Sequence, residues 1–205
     1  MKENKTHWYD GKFYDTVIAP NQDKLFEDIL TLMGSGKTVI DVGCGTGRFS
    51  FLAAGRCKSV LGIDLSEKNI TRAVKNLGLR GKKNITFEHT TVEEVKKGIK
   101  EKFDFALLTY VIHEVKEEER IPLLNEIFNV ADRLIIGDYL VPAPAGLTSL
   151  LNEAVEFLAG KEHYAGFKSF KAKKGINGLA EEGKFKVVNE IKNSSNGRHI
   201  IILEK

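Results

Sequence analysis

The sequence predicts an α/β protein built on a doubly wound, mostly parallel sheet that ends in an antiparallel hairpin. Three observations carry that expectation. Apolar strand patterns alternate with helical ones along most of the chain, an apolar strand runs into the glycine-rich turn Asp41-x-Gly43-x-Gly45-x-Gly47, and the last two apolar runs are separated by a short polar turn. Strict alternation of strand and helix means parallel strands joined by right-handed crossovers. Two strands joined by a short loop pair antiparallel.

Taken in order, Leu25, Phe26, Ile29, Leu32 and Met33 recur at helical spacing, and Gly34-Ser35-Gly36 ends that helix. The strand that follows enters the glycine turn and a short helix, and SVLGID is a second strand, ending in Asp64. Ser66 caps the next helix, whose apolar residues Ile70, Ala73, Val74 and Leu77 share one face and which Gly78 closes. NITFEH is a third strand. Thr91-Val92-Glu93-Glu94 has the form of a capping box for a helix reaching Ile99. A strand from Phe103 to Thr109, a helix to Ala131 and a strand from Leu134 to Asp138 continue the rhythm. Leu147, Leu150, Leu151, Ala154 and Leu158 mark one more helix, a lysine-rich stretch follows, and KFKVVNEI and HIIIL form the hairpin around NSSNGR.

A chain of 205 residues with 42% apolar content suits one domain with an ordinary core. No apolar run approaches the ~20 residues of a membrane span, and nothing near Met1 resembles a signal core. A cytoplasmic protein without a membrane span is therefore expected. A formal charge of +3 from 31 basic and 28 acidic residues gives little support to a nucleic-acid partner. Cys44 and Cys57 have no Cys-x-x-Cys or Cys/His partner in the sequence, so reduced thiols and no metal are expected.

Glycine suits a turn where the backbone must approach a ligand without a Cβ in the way. An acid ending the next strand, here Asp64, 23 positions after Asp41, is placed to accept hydrogen bonds from ribose hydroxyls. The nicotinamide fingerprint would require glycine at position 48, which is Arg48.

On these residues the chain resembles the class I S-adenosylmethionine-dependent methyltransferases, whose first motif is an acid followed by G-x-G-x-G. The resemblance extends to Asp64, to FDFALLTYVIHEV and to RLIIGDYL, in the family's order. It implies a Rossmann-like sheet of seven strands and S-adenosylmethionine as cofactor. It divides one methyltransferase domain, 1–205, into an N-terminal helical lid (1–36), a cofactor-binding core (37–140) and an acceptor-side helix with the terminal hairpin (141–205). It places Asp41, Gly43, Gly45, Gly47, Asp64 and Leu65 around the cofactor. Thr91 stands where relatives carry an acid toward the adenine, and the backbone of Val92 is the alternative contact.

On the acceptor side, Tyr110 and His113 leave the fourth strand at the edge where open parallel sheets bind ligands. His113 matches a histidine frequent in small-molecule methyltransferases, including those acting on quinone precursors. A histidine there is either a general base or a residue that shapes the pocket. Glu114 reads as a helix-start charge. His163 and Tyr164 lie in a lysine and aromatic mixture that suits either an anionic group or an amphipathic helix with its rings in the core. Trp8, Tyr9, Phe13 and Tyr14 form either a lid or an aromatic staple.

The chain lacks the Asn/Asp-Pro-Pro-aromatic tetrad used on planar amino groups and any Pro-Cys pair suited to attack a pyrimidine. A small-molecule acceptor follows as the first expectation. RNA or protein methylation, a non-catalytic cofactor-binding protein and a nicotinamide oxidoreductase are the alternatives. Oligomeric state is not legible.

Overall fold

The structure, a computed structural model, describes residues 22–143, 160–194 and 197–205. The expected aromatic lid at Trp8 to Tyr14 and the expected helix at Leu147 to Leu158 lie outside the described residues. Helices α1 (Asp23–Met33), α2 (Arg48–Ala53), α3 (Glu67–Arg80), α4 (Val92–Gly98), α5 (Glu117–Val130), α6 (Lys161–Ala172) and α7 (Gly175–Gly183) accompany seven strands. These are β1 (Thr38–Val42), β2 (Ser59–Asp64), β3 (Ile85–His89), β4 (Phe103–Thr109), β5 (Ala131–Tyr139), β6 (Lys186–Asn193) and β7 (Arg198–Glu204). Their order in the sheet is β3-β2-β1-β4-β5-β7-β6. Two compact units divide the chain, one running to Leu107 and taking in Asn129–Asp132, the other comprising Leu108–Phe128 and Arg133–Lys205.

In the first unit β1 pairs in parallel with β2 and β4, and β2 with β3. The β1 residues Val39 and Ile40 are fully buried, as expected of a parallel strand covered on both faces. Each such side chain contributes about 1.5–3 kcal/mol by burial. Ser66 caps α3 by accepting from the Asn69 amide at 3.3 Å. That helix runs past Gly78 and ends at Gly81, whose φ of 61° supplies the left-handed residue that terminates it. Gly78 has no such backbone and is an ordinary helical position. The buried face of α3 is also narrower than its spacing implied: Ile70 and Ala73 are buried, but Val74 is 50% exposed. In α1, Leu30 rather than Leu32 joins the buried set.

Gly47 and Gly62 make room for one ring. A Cβ at Gly47 would lie 2.5 Å from Phe87 Cζ and one at Gly62 would lie 2.6 Å from Phe87 Cδ1, while Phe87 packs edge-on against Phe51 at 5.3 Å. Gly47 also sits at φ 85°, where an L side chain costs roughly 1–2 kcal/mol. Gly47→Ala is therefore expected to destabilise the fold by about 2–4 kcal/mol, strain and overpacking together. Urea unfolding checks this, and an unchanged midpoint contradicts it.

In the second unit β7 pairs antiparallel with both β5 and β6, the expected hairpin. The edge strand β6 is guarded by lysines and by an irregularity between Val187 and Asn189. The lysine-rich stretch forms α6 with His163, Phe167 and Phe170 buried, the amphipathic arrangement. Helix α7 was not expected from the sequence.

Candidate functional site

The residues expected on the cofactor side lie in the first unit. At the end of β1 the chain turns through Gly43, Gly45 and Gly47, all at positive φ (74°, 56° and 85°). The Gly43 and Cys44 amides both donate to Ile63 O, at 2.8 and 3.0 Å, tying the turn to β2. Asp64 then bridges two elements: Oδ2 accepts from the Gly45 amide at 2.8 Å and Oδ1 from the Ser66 amide at 2.7 Å. A Cβ at Gly45 would meet no atom of the described residues within 4 Å, so among them the space in front of it is open.

Asp41 is 1% exposed. Its Oδ2 accepts from the Ser50 hydroxyl, while Oδ1 has no hydrogen-bond partner among the described residues. Burial pushes its carboxyl from 3.8 up to about 7, against the Ser50 hydrogen bond and with a smaller push from the charge of Asp64. Leu65 is 36% exposed, and its carbonyl meets His89 Nε2 at 3.0 Å. Thr91 caps α4, its hydroxyl accepting from the Glu94 amide at 3.2 Å, and Val92 is buried.

The residues expected on the acceptor side lie in the second unit. Tyr110 leaves β4 with φ 55°, and its amide donates to Gly137 O at 2.8 Å. A positive φ at a tyrosine is uncommon and concentrates at functional positions. The following turn carries His113, which is 2% exposed and meets Asp138 Oδ1 at 2.7 Å through Nδ1. Asp138 is fully buried near the end of β5; its Oδ1 also accepts from the Tyr139 amide at 2.8 Å, and its Oδ2 has no partner among the described residues. With that carboxyl oxygen accepting, Nδ1 carries a ring hydrogen, and in the neutral imidazole Nε2 is then the nitrogen with the lone pair. Tyr139 packs 5.0 Å from the His113 ring and 5.4 Å from those of Tyr110 and Phe167.

Helix α6 is pressed onto this turn. A Cβ at Gly166 would lie 2.9 Å from His113 O, so glycine permits the approach. Arg120 fastens it, donating from Nε to Val115 O at 2.9 Å and from Nη2 to Gly166 O at 2.7 Å and Ser169 Oγ at 2.8 Å. The docking sets His163 Nε2 3.5 Å from Glu114 Oε1, which is itself 3.9 Å from His113 Nε2.

A sequence family described as a methyltransferase domain matches residues 33–187. The chain belongs to this methyltransferase family. Its fold is shared with the crystal structure of magnesium protoporphyrin IX methyltransferase from Synechocystis PCC 6803 with bound S-adenosylhomocysteine: TM-score 0.65, 19% identity, 95% of this chain and 88% of that one. An uncharacterized RNA methyltransferase of Clostridium acetobutylicum is 38% identical over 88 residues, 42% of this chain and 19% of that protein. A ubiquinone biosynthesis O-methyltransferase of Hahella chejuensis is 34% identical over 82 residues, 40% of this chain and 34% of that protein. The match thus spans about a fifth to a third of the length of these two curated relatives. Among the described residues, no helix is long and apolar enough to cross a membrane.

Within the methyltransferase, Asp41, Gly43, Gly45, Gly47, Asp64, Leu65, Thr91 and Val92 fall in the first unit, and Tyr110, His113 and His163 in the second. Glu114 does not begin a helix: α5 starts at Glu117, and Glu114 faces the two histidines. The sequence reading missed Asp138 and Arg120. A charged residue following the apolar run Leu134–Gly137 was the available signal for Asp138, because a buried carboxyl demands a partner. Both thiols are free and buried, and burial raises Cys44 well above, and Cys57 above, the ordinary thiol range.

Proposed function

We propose that this protein, acting as a single methyltransferase domain with S-adenosylmethionine as its cofactor, methylates a small-molecule acceptor. The buried, oriented His113–Asp138 pair among aromatic rings carries the acceptor-side part of this reading. Two buried thiols with raised pKa values offer no thiolate for covalent attack on a pyrimidine ring. The likeness to the Clostridium RNA methyltransferase covers 42% of the chain and carries no acceptor assignment.

Bound S-adenosylmethionine supplies an electrophilic methyl on a sulfonium that is already a good leaving group. The open space at Gly45 and the orphaned Asp41 Oδ1 fit a ligand that lies on the turn and brings a cationic amino donor. Asp41 with Gly43, Gly45 and Gly47 would hold its amino-acid end. Asp64 would accept from the ribose hydroxyls at the end of β2. Leu65 and the Val92 backbone would flank the adenine, Thr91 being engaged as a helix cap. On the acceptor side, Tyr110 and His163 bound the space in which His113 works. An acceptor that must lose a proton finds at Nε2 a lone pair oriented by Asp138. Alignment of the reacting groups, more than acid–base chemistry, is the protein's main contribution.

Calorimetric titration with S-adenosylhomocysteine tests the cofactor half. One site is expected, with no binding of NAD, and Asp64→Ala is expected to weaken it by about 10–100-fold, the loss of charged hydrogen bonds worth roughly 1.5–3 kcal/mol. A folded, ligand-free wild type that binds no S-adenosylhomocysteine contradicts the reading. With methyl-labelled cofactor and a fractionated lysate, label should enter the small-molecule filtrate. Label in RNA or protein instead would overturn the acceptor class.

A further inference from the structure

We propose that His113, Glu114 and His163 form a binding site for one divalent transition-metal cation. Among the described residues, these three place one ligand atom each within 4.8 Å of one another. Glu114 Oε1 is 3.5 Å from His163 Nε2 and 3.9 Å from His113 Nε2. Metal–ligand bonds of ~2.0–2.2 Å at tetrahedral angles need donors about 3.3 Å apart. Modest turns of the three side chains close that gap, and Glu114, 34% exposed on its side chain, is placed to move.

The donor set selects the class of cation. Two imidazoles and one carboxylate suit zinc or ferrous iron and leave coordination positions open, whereas magnesium and calcium take oxygen donors. His113 already has the partner that a ligand histidine requires. Its Nδ1 is held by a fully buried carboxyl at 2.7 Å, which fixes the tautomer and aims Nε2 at the cluster. Such outer carboxylates raise the basicity and fix the direction of a metal-bound imidazole. The backbone supports the same arrangement. Gly166 and Arg120 hold α6 against the turn that bears His113 and Glu114, so His163 reaches the cluster from a separate, fastened helix.

This inference rests on the reading that the same residues face the acceptor, and it refines that reading. With a cation present, His113 Nε2 is a ligand and not a base, and the open positions suit an acceptor that presents an anionic oxygen. Metal coordination lowers the pKa of a bound hydroxyl or water strongly, so an ionised acceptor no longer depends on an imidazole to take its proton.

The test uses the full chain stripped with a chelator. Zn2+ is titrated in competition with a chromophoric chelator, Co2+ by its visible absorption, Fe2+ anaerobically, and Mg2+ by calorimetry. One equivalent of Zn2+ and Co2+ should bind, with a Co2+ spectrum of low-coordinate nitrogen and oxygen ligation, and Mg2+ should not. His163→Ala and Glu114→Gln should each weaken Zn2+ by at least tenfold, and Asp138→Asn by about 10–100-fold through the outer shell. The position of Fe2+ relative to Zn2+ assigns the cation. Absence of Zn2+, Co2+ and Fe2+ binding, binding of Mg2+ alone, or Zn2+ affinity unchanged in both His163→Ala and Glu114→Gln overturns the site. Glu114→Gln is half-exposed and keeps the fold, so its result stands even where His163→Ala is unstable. S-adenosylhomocysteine titration of the same samples separates the two readings: retained cofactor binding without metal binding removes the metal site and leaves the methyltransferase assignment intact.

Discussion

Replacing Asp41 with asparagine is expected to remove a pH dependence of stability worth about 4 kcal/mol. The carboxyl is 1% exposed, and burial raises it from 3.8 to about 7; at roughly 1.36 kcal/mol per pKa unit that difference gives the figure quoted. In the unfolded chain the group ionises near 3.8, whereas in the folded chain it keeps its proton until about 7. Unfolding between those limits releases a proton, so stability falls as pH rises. The stabilising contribution is complete below 3.8 and lost once pH passes about 7. Asparagine cannot ionise, and its amide oxygen can still accept from Ser50. The difference in unfolding free energy, wild type minus Asp41→Asn, should therefore fall by about 4 kcal/mol from pH 4 to pH 8. Parallel curves in urea titrations across that range would sink the argument.

The same carboxyl links stability to function. An orphaned, costly buried oxygen at the mouth of a glycine turn is tolerated where a ligand completes it. If Asp41 meets the amino end of the cofactor as proposed, binding pulls its pKa down and expels a proton. Calorimetry of S-adenosylhomocysteine near pH 6, in buffers of different ionisation heat, reads that proton directly.

The glycine turn and its two acids were legible because their signals are local. Asp41 to Gly47 is one strand end and one turn whose positive φ angles favour glycine, and at Gly47 the Phe87 ring also leaves no room for a Cβ. Ser66 and Thr91 announced their helices for the same reason, since a cap is a contact between residues three apart. Local reading failed where two local signals competed: Gly78 and Gly81 both suit a helix end, and only backbone conformation separates them. The acceptor side was hidden for a different reason. Asp138 lies 25 positions from His113 in the chain, and His163 lies on another helix. Their meeting depends on a glycine at 166 and a buried arginine at 120, neither of which has a periodic signature. Glu114 looked like a charge at a helix start until the turn before α5 aimed it at two imidazoles.

Arg120 is the residue on which that meeting most depends, and Arg120→Met is expected to cost about 2–4 kcal/mol. Arg120 is 1% exposed and lies over the Phe170 ring at 5.7 Å. It forms no ion pair among the described residues; its named partners are Val115 O, Gly166 O and Ser169 Oγ. Burial lowers its pKa below the ordinary guanidinium range, yet a guanidinium stays charged at any working pH. Methionine spares the desolvation of that charge but removes charge-assisted donors worth roughly 1.5–3 kcal/mol each. The first effect offsets the second only in part, because Val115 O loses its arginine donor and Gly166 O keeps the Ser169 hydroxyl but loses the charged one. The loss should be local before it is global. With the fastening gone, α6 is held to the turn mainly by the buried Phe167 and Phe170, so its amides at 161–172 should exchange hydrogen far faster than those of β5. Arg120→Lys should recover part of the stability, since an ammonium reaches one carbonyl without spanning both. A methionine variant as stable as wild type in urea, with α6 still protected, would show that apolar packing alone seats the helix.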